Sequence, residues 1–381
     1  MRGPKVARIV GVGMTPLGKH NKKPSMLMRN ALELALGDAG MTLRQLDGLV
    51  AIPSLADPHF MEAHFLGTQM GLLPNKERDM DWCETVAVVA GDAVCSLSKE
   101  EFLRRADQTC QDPDGELQSP VIPNGYDRIA QWQMRTYGVT REQLAMCSVL
   151  MSMQAARHPY AVTQRVRSLE EVLASPPIGK VTNLLELREA PHIQCANHVD
   201  RWLERHGYGK RKGVVVLGGG EGSGPLYPPP VIDEDMFTAD IAAELAFNEA
   251  QIGPNDIDFF GLYDCFPICF IRAIEAVGLA KKGEGGAWVE QKYYQLLKEI
   301  EDKGGNDNRD PNNFPVNTHG GLLAFGAPWE APAMYNVIEA VEQLRGRAGS
   351  RQVRNAKRAL VYANGGIFSA SSIALLGVGH M

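Results

Sequence analysis

The 381-residue sequence lacks the features of membrane-spanning and nucleic-acid-binding proteins. It has no uninterrupted apolar run of the roughly eighteen or more residues that a membrane-spanning helix needs, so we expect no membrane span. It also lacks a basic excess, because the formal net charge is −6 and the lysines and arginines are scattered along the chain. We therefore expect no nucleic-acid partner. What is present, 44% hydrophobic and 22% charged residues, is typical of a soluble globular protein.

Cysteines in the spacings of metal and redox sites are missing as well. The seven cysteines are odd in number and no Cys-x-x-Cys occurs, which indicates reduced thiols rather than a disulfide framework. The N-terminal MRGPKVARIVGVGM has neither the long apolar segment nor the cleavage site of a secretory signal. We expect a cytoplasmic protein without a metal site. The cysteines are Cys83, Cys95, Cys110, Cys147, Cys195, Cys265 and Cys269.

Two passages of the chain repeat the order strand, helix, strand. In the first, VARIVGVG predicts a buried strand, MLMRNALELALGDAG a helix and DGLV a second strand; in the second, the same elements are VVVLGGGEG, DIAAELAFNEAQIG and DIDFFGLY. We interpret the repeat as an internal duplication with halves at 1–210 and 211–381. At a constant offset of 211 residues, the identical pairs are Ala31 and Ala242, Glu33 and Glu244, Leu34 and Leu245, Ala35 and Ala246, Ala39 and Ala250, and Asp47 and Asp258.

The remaining segments also predict an α/β architecture. A polar, irregular region of about 98–200 is inserted in the first half, and within it SPVIPNGYDRIAQWQMRTYG and TREQLAMCSVLMSMQAARHP predict two helices. The second half ends with a helix at about 330–346 and the strands ALVYANGG and SSIALLGVG. Strands that alternate with helices predict a sheet covered on both faces.

Five motifs follow one another along the chain: VGVGMTPLGK, LELALGDAG with DGLV, AFNEAQIGPNDIDFFGLYDCF, NTHGGLLAFGAP and QLRGRAGSRQV. In this order they resemble the thiolase superfamily, in its lipid-transfer-protein or sterol-carrier-protein branch. The resemblance implies two similar βαβαβαββ halves packed as a five-layered α/β/α/β/α sandwich. It also implies an acyl-CoA substrate, next to whose thioester a carbon–carbon bond is made or broken. Coenzyme A would then be the carrier of the substrate, with no separate cofactor.

The chain departs from this family at three of its catalytic positions. The His-Asp-Cys-Phe motif of the branch is replaced by Tyr263-Asp264-Cys265-Phe266. The Gly-His-Pro step is replaced by Gly326-Ala327-Pro328. Many relatives carry a cysteine near the C-terminal glycines, whereas here Tyr362-Ala363-Asn364 precedes them.

The family places its nucleophilic cysteine at a helix N-terminus. The stretch RDMDWCETVAVVAGDAVCSL can be aligned with this part of the family in two ways. In one, DMDW is a strand and Cys83 begins the helix, where it would accept the acyl group. In the other, TVAVVAGDA is a strand, as its valines favour, and the helix is largely missing. The family's strand after LLEL, with its Ser-Asp-Gly step, also has no counterpart here, because HVDRWLERHG predicts an amphipathic helix.

The resemblance implies a site built from the end of one strand and from one loop. Tyr263 would donate a proton to an oxyanion or assist proton loss, and His319 would act as base or oxyanion donor. We expect Asp264 to accept hydrogen bonds from loop amides. The predicted catalytic residues are Cys83, Tyr263 and His319, and the predicted ligand-binding residues are Asn317, Gly320, Gly321 and Gly326.

Three functions follow from the resemblance. The first is thiolytic cleavage or acyl transfer. The second is retro-aldol cleavage of a β-hydroxyacyl-CoA, for which Tyr263 suffices without a cysteine nucleophile. The third is that of a non-catalytic subunit paired with an intact thiolase-like chain. Because members of this branch form mixed assemblies and often bind a small zinc-ribbon/OB-fold protein, we expect a homodimer or a heteromer.

Overall fold

Eight strands form one curled sheet in the computed structural model, which describes residues 7–18, 21–72, 85–110, 117–187, 196–202, 213–305 and 307–379, with backbone alone for 196–202. The strands are β1 Arg8–Met14, β2 Gly48–Ala51, β3 Val86–Asp92, β4 Ala196–Trp202, β5 Val214–Ser223, β6 Phe259–Leu262, β7 Arg358–Gly365 and β8 Ala370–Val378. The helices are α1 Pro24–Ala39, α2 Glu62–Gln69, α3 Lys99–Thr109, α4 Val121–Tyr137, α5 Arg141–Ala155, α6 Leu169–Leu173, α7 Thr238–Ala250, α8 Pro267–Ala276, α9 Gly285–Asp302 and α10 Pro332–Leu344.

The pairing of the strands repeats between the two halves of the chain. Along the sheet the order is β2-β3-β4-β1-β5-β8-β7-β6. In the first half β2 and β3 are parallel, and β4 runs antiparallel to both β3 and β1. The second half repeats this arrangement: β6 and β7 are parallel, and β8 runs antiparallel to both β7 and β5. Antiparallel pairing of β1 with β5 joins the two sets. The repeated pairing supports the duplication, whose boundaries at residues 210 and 211 stay a prediction.

The repeated alanines form equivalent contacts between helix and strand in both halves. A Cβ atom built on Gly13 of β1 would lie 2.7 Å from the carbonyl oxygen of Ala31, and one built on Gly220 of β5 would lie 2.0 Å from that of Ala242. The glycines therefore let the backbone of α1 approach β1, and that of α7 approach β5. The shared alanines and glycines reflect this close packing.

We predict that Gly220→Ala destabilises the protein by about 1–3 kcal/mol, because the added methyl group would push α7 away from β5. Gly219→Ala is the matched control, since the nearest atom to its added Cβ is 3.6 Å away. Urea unfolding of the two variants measures the difference. Equal stabilities would show that α7 does not depend on the missing Cβ.

Helix α10 packs against both halves of the sheet. Ile338 and Val341 of α10 share one buried cluster with Ile9 of β1 and with Phe259 and Val361 of the second half. Helix α1 packs on β1 and helix α7 packs on β5, at the glycines described above. The layers are thus α1, the first-half strands, α10, the second-half strands and α7, which confirms the predicted α/β/α/β/α sandwich.

In the first half the structure excludes one of the two alternatives left open, and one prediction is wrong. Residues 86–92 form strand β3, so the alternative in which Cys83 begins a helix fails over these residues, and Cys83 itself lies outside the described residues. Residues 196–202 form strand β4, where we predicted an amphipathic helix and no strand. The reason is tertiary: β4 pairs with β3 on one side and β1 on the other, and this ladder outweighs a helical spacing of residues.

The inserted region packs mainly on the second half of the chain. Both helices predicted in it are confirmed as α4 and α5, and Thr140 caps the start of α5 in a capping box with Gln143. Residues of α4 and α5 share the largest buried cluster with α7, α8 and the loop after residue 316. The insertion therefore places α4 and α5 beside the end of β6. No helix within the described ranges is long and apolar enough to cross a bilayer.

Candidate active site

The candidate site begins where β6 ends. Tyr263 directly follows β6 and is half-buried, while the next residue, Asp264, is fully buried. The carboxylate of Asp264 accepts hydrogen bonds from the backbone N–H of Leu322 at 2.6 Å and of Leu323 at 3.5 Å. The expectation that Asp264 binds loop amides is confirmed. Gly321 is required beside it, because an added Cβ would lie 2.1 Å from the Asp264 carboxylate and its φ is +59°.

Asn317 fixes the start of the loop to β6. Its side-chain oxygen accepts a hydrogen bond from Leu262 N–H at 2.7 Å, and its amide nitrogen donates to the Leu262 carbonyl oxygen at 2.8 Å. Its own carbonyl accepts the N–H of Gly320 at 2.7 Å. Residues Gly321–Phe325 then form a π-helical turn, which ends at Gly326 with a φ of 140°. The structure thus brings Asn317, Gly320 and Gly321 together beside Asp264.

His319 lies on this loop but is covered. The side chain is 2% exposed, neither ring nitrogen has a hydrogen-bond partner among the described residues, and the edge of the ring meets Phe325. Burial lowers the pKa of His319 to about 4, so the imidazole is neutral at pH 7. A covered histidine with this pKa is a weak base. Its predicted catalytic role stays a prediction.

Tyr126 of α4 is a site residue that the sequence did not reveal. It is 2% exposed, and its ring stacks on Phe266 with the centroids 4.5 Å apart. The Tyr126 hydroxyl donates to the carbonyl oxygen of Gly366 at 2.7 Å and accepts from the side chain of Asn364 at 2.9 Å. Tyr126 therefore connects the turn after Tyr263 with the C-terminal glycine turn. No local motif marks it, because its hydrogen-bond partners lie more than two hundred residues away in sequence.

The cysteines of the described residues are free thiols. Cys265 and Cys269 are buried with their sulfur atoms 3.5 Å apart, and both contribute to the core below Tyr263. Burial raises the pKa of the Cys269 thiol well above its ordinary value, which makes it a poor nucleophile. Within the described ranges, no three histidine, cysteine, aspartate or glutamate side chains meet as metal ligands.

Asp264 gives the site a pH-dependent stability. Burial raises its pKa from 3.8 to about 7, against the opposing hydrogen bonds from Leu322 and Leu323. Between pH 4 and 7 the folded state then holds a proton that the unfolded state releases, so this contribution to stability falls as the pH rises through that range. We predict that the unfolding free energy of the wild type relative to Asp264→Asn decreases from pH 4 to 7 and is constant above. A relative increase over this range in urea titrations would mean that the ionised carboxylate is the stabilising form.

Comparisons with known proteins identify the family of this chain. Residues 233–378 match the family "Thiolase C-terminal domain-like". The acetyl-CoA acetyltransferase of Methanothermobacter thermautotrophicus is 32% identical over 272 residues, which are 70% of this chain and 66% of that enzyme. The chain belongs to the thiolase superfamily. Rat sterol carrier protein 2 is 28% identical over 68% of this chain, and the match spans 46% of that longer protein, which supports the sterol-carrier-protein branch.

The likeness in fold to solved structures is not confined to residues 233–378. The solved structure titled "Ltp2-ChsH2(DUF35) aldolase" superposes with a TM-score of 0.76 at 19% identity and covers 99% of both chains. In this thiolase-like chain, Tyr263 and the loop from Asn317 to Gly326 come together through Asp264. Cys83 lies outside the described residues, so its place relative to Tyr263 stays a prediction.

Proposed function

We propose that the protein acts on an acyl-CoA thioester and cleaves the Cα–Cβ bond of a β-hydroxyacyl-CoA in a retro-aldol reaction. The observation that carries this proposal is the half-buried Tyr263 at the end of β6, beside a loop that Asp264 holds in place. The strand at 86–92, where one alternative required the nucleophile's helix, also favours a reaction without an acyl-enzyme. A structural neighbour titled as an aldolase supports the same class of reaction.

The proposed chemistry needs two proton transfers and one enolate. Loss of the β-hydroxyl proton turns the Cβ–O bond into a carbonyl, and the electrons of the Cα–Cβ bond move into the thioester as an enolate. Protonation at Cα then gives an acyl-CoA and a ketone or aldehyde. We assign both proton transfers to Tyr263 rather than to the covered His319: the phenol oxygen accepts the β-hydroxyl proton as the phenol's own proton passes to Cα, so that the phenol ends the reaction unchanged.

The enolate oxygen needs donors, and the amides of the loop are the candidates. The N–H of Gly320 is engaged by Asn317, and those of Leu322 and Leu323 by Asp264. We assign the N–H of Gly321, which lies between these two sets of bonds, to the enolate oxygen. Asn317, Gly320 and Gly326 would then shape this turn, with coenzyme A bound as the carrier of the substrate and no further cofactor.

Thiolytic acyl transfer is the second candidate, because the archaeal relative is named an acetyl-CoA acetyltransferase. That reaction needs a nucleophile, for which Cys83 is the proposed residue. Cys83→Ala distinguishes the two reactions: it would abolish acyl transfer and leave retro-aldol cleavage unchanged.

The test is an assay of the purified protein with β-hydroxyacyl-CoA and with β-ketoacyl-CoA plus free coenzyme A. It is run on the chain alone and with its genomic-neighbour partner, for which we propose a zinc-ribbon/OB-fold protein in a heteromer. Retro-aldol cleavage predicts a ketone or aldehyde from the first substrate only. If neither preparation converts either substrate, both enzymatic functions are contradicted. The function as a non-catalytic subunit would then remain.

A further inference from the structure

A buried polar cluster lies on α10 directly behind the loop of the candidate site. Its centre is Glu339, which is 2% exposed and forms a paired contact with Arg351, at 3.0 Å for each of two hydrogen bonds. The hydroxyl of Thr318 donates to Glu339 at 2.6 Å, and Gln343 donates to that hydroxyl at 2.9 Å. Thr318 is therefore held by a carboxylate and an amide of the same helix.

The charge of Glu339 is maintained inside the protein. Burial opposes its ionisation, but the guanidinium of Arg351 outweighs burial and lowers the pKa of Glu339 to about 2. A hydrogen bond to an ionised acceptor is stronger than one between neutral groups. The Thr318 contact is thus stronger than an ordinary side-chain bond.

Thr318 lies within the turn that the proposed reaction uses. It stands between Asn317, which is bound to β6, and His319, which precedes Gly320 and Gly321. The ring of His319 has no hydrogen-bond partner among the described residues, so it contributes no hydrogen bond that holds the turn. The anchors of this turn are Asn317 on one side, Asp264 on the other and Glu339 from behind.

We propose that Glu339, with Arg351 as its counter-ion, is a positioning residue that acts through Thr318 to fix the Gly320–Gly321 turn against the substrate's thioester. For its effect on catalysis the proposal rests on the proposed function. The structural part of the proposal, that Glu339 anchors the turn through Thr318, does not rest on the proposed function. Glu339 touches no reacting atom, so its loss changes the rate of the chemical step more than the binding of the substrate.

Thr318→Val tests the anchor, because valine keeps the shape and removes the hydroxyl. We expect a fall in kcat of about tenfold with little change in KM, because the turn that binds the transition state loses one of the hydrogen bonds that position it. Thr318→Ser restores the hydroxyl and is expected to restore kcat. Glu339→Gln should lower kcat by about 10- to 100-fold, since the acceptor loses its charge. Glu342→Gln is the control, because Glu342 lies on the same helix and pairs with the half-exposed Arg347.

Hydrogen exchange measured by mass spectrometry gives a readout that does not need activity. In Thr318→Val and Glu339→Gln, a peptide covering 317–326 is expected to exchange about tenfold faster, while a peptide covering β7 is unchanged. Thr318→Ser and Glu342→Gln should exchange like the wild type. Unchanged exchange at 317–326 in Thr318→Val would overturn the proposal. If the wild type is inactive but the loop exchange changes as expected, the proposed function fails and the anchor stands.

Discussion

Replacing Tyr263 by phenylalanine is expected to lower the rate of β-hydroxyacyl-CoA cleavage by about 10²- to 10⁴-fold, the usual contribution of a group that transfers a proton in the transition state. The phenylalanine ring keeps the packing of Tyr263 against the core and removes only the hydroxyl. The loss should therefore appear mainly in kcat. Steady-state kinetics with release of the ketone or aldehyde as the readout would measure it.

Tyr294→Phe is the control for this substitution. Tyr294 lies on α9 and is 55% exposed, so the loss of its hydroxyl should leave both rate and stability unchanged. The stability of Tyr263→Phe should fall by only about 1 kcal/mol, because the substitution removes a single hydroxyl from a half-buried ring. If Tyr263→Phe retained more than about one tenth of the wild-type kcat, proton transfer would belong to another group.

Much of the fold was predictable because both halves use short-range patterns. The alanines at Ala31, Ala35 and Ala39 recur at Ala242, Ala246 and Ala250, and in both halves they mark a helix packed closely on a glycine-containing strand. Strand β4 was not predictable in this way. It is a strand because β3 and β1 offer it backbone partners on both sides, and a local spacing of apolar residues carries no information about those partners.

The site was predictable only where a motif lay within one segment. The resemblance placed Tyr263, Asn317, Gly320 and Gly321 near one another, and the bonds of Asp264 and Asn317 show how the turn is held. The resemblance did not reveal Tyr126 or Glu339. These residues come from α4 and α10, and their importance depends on which distant turns those helices meet, a consequence of packing.

A second buried cluster fixes the helix that follows Tyr263. Arg272 of α8 is 1% exposed, and its guanidinium contacts Glu275 at 3.0 Å and Glu234 at 3.1 Å. It also lies over the ring of Phe237, 3.8 Å from the centroid. Glu275 in turn accepts hydrogen bonds from Gln133 of α4 and from the N–H of Gly285 at the start of α9. The cluster thus joins α4, α8 and α9 around the base of the candidate site.

Arg272→Met is expected to destabilise the protein by about 3–5 kcal/mol, because it leaves the buried carboxylate of Glu275 without its counter-ion. Lys282→Met is the control: Lys282 pairs with the same Glu234 but is about half-exposed, so its loss should cost at most about 1 kcal/mol. Adding Glu275→Gln to Arg272→Met should recover part of the loss, since the unpaired charge is then removed. Urea unfolding of the wild type, Arg272→Met, Glu275→Gln and the double variant forms a double-mutant cycle. A coupling energy near zero between Arg272 and Glu275 would show that this ion pair does not hold α8 in place, and that the other contacts of Arg272, with Glu234 and Phe237, do.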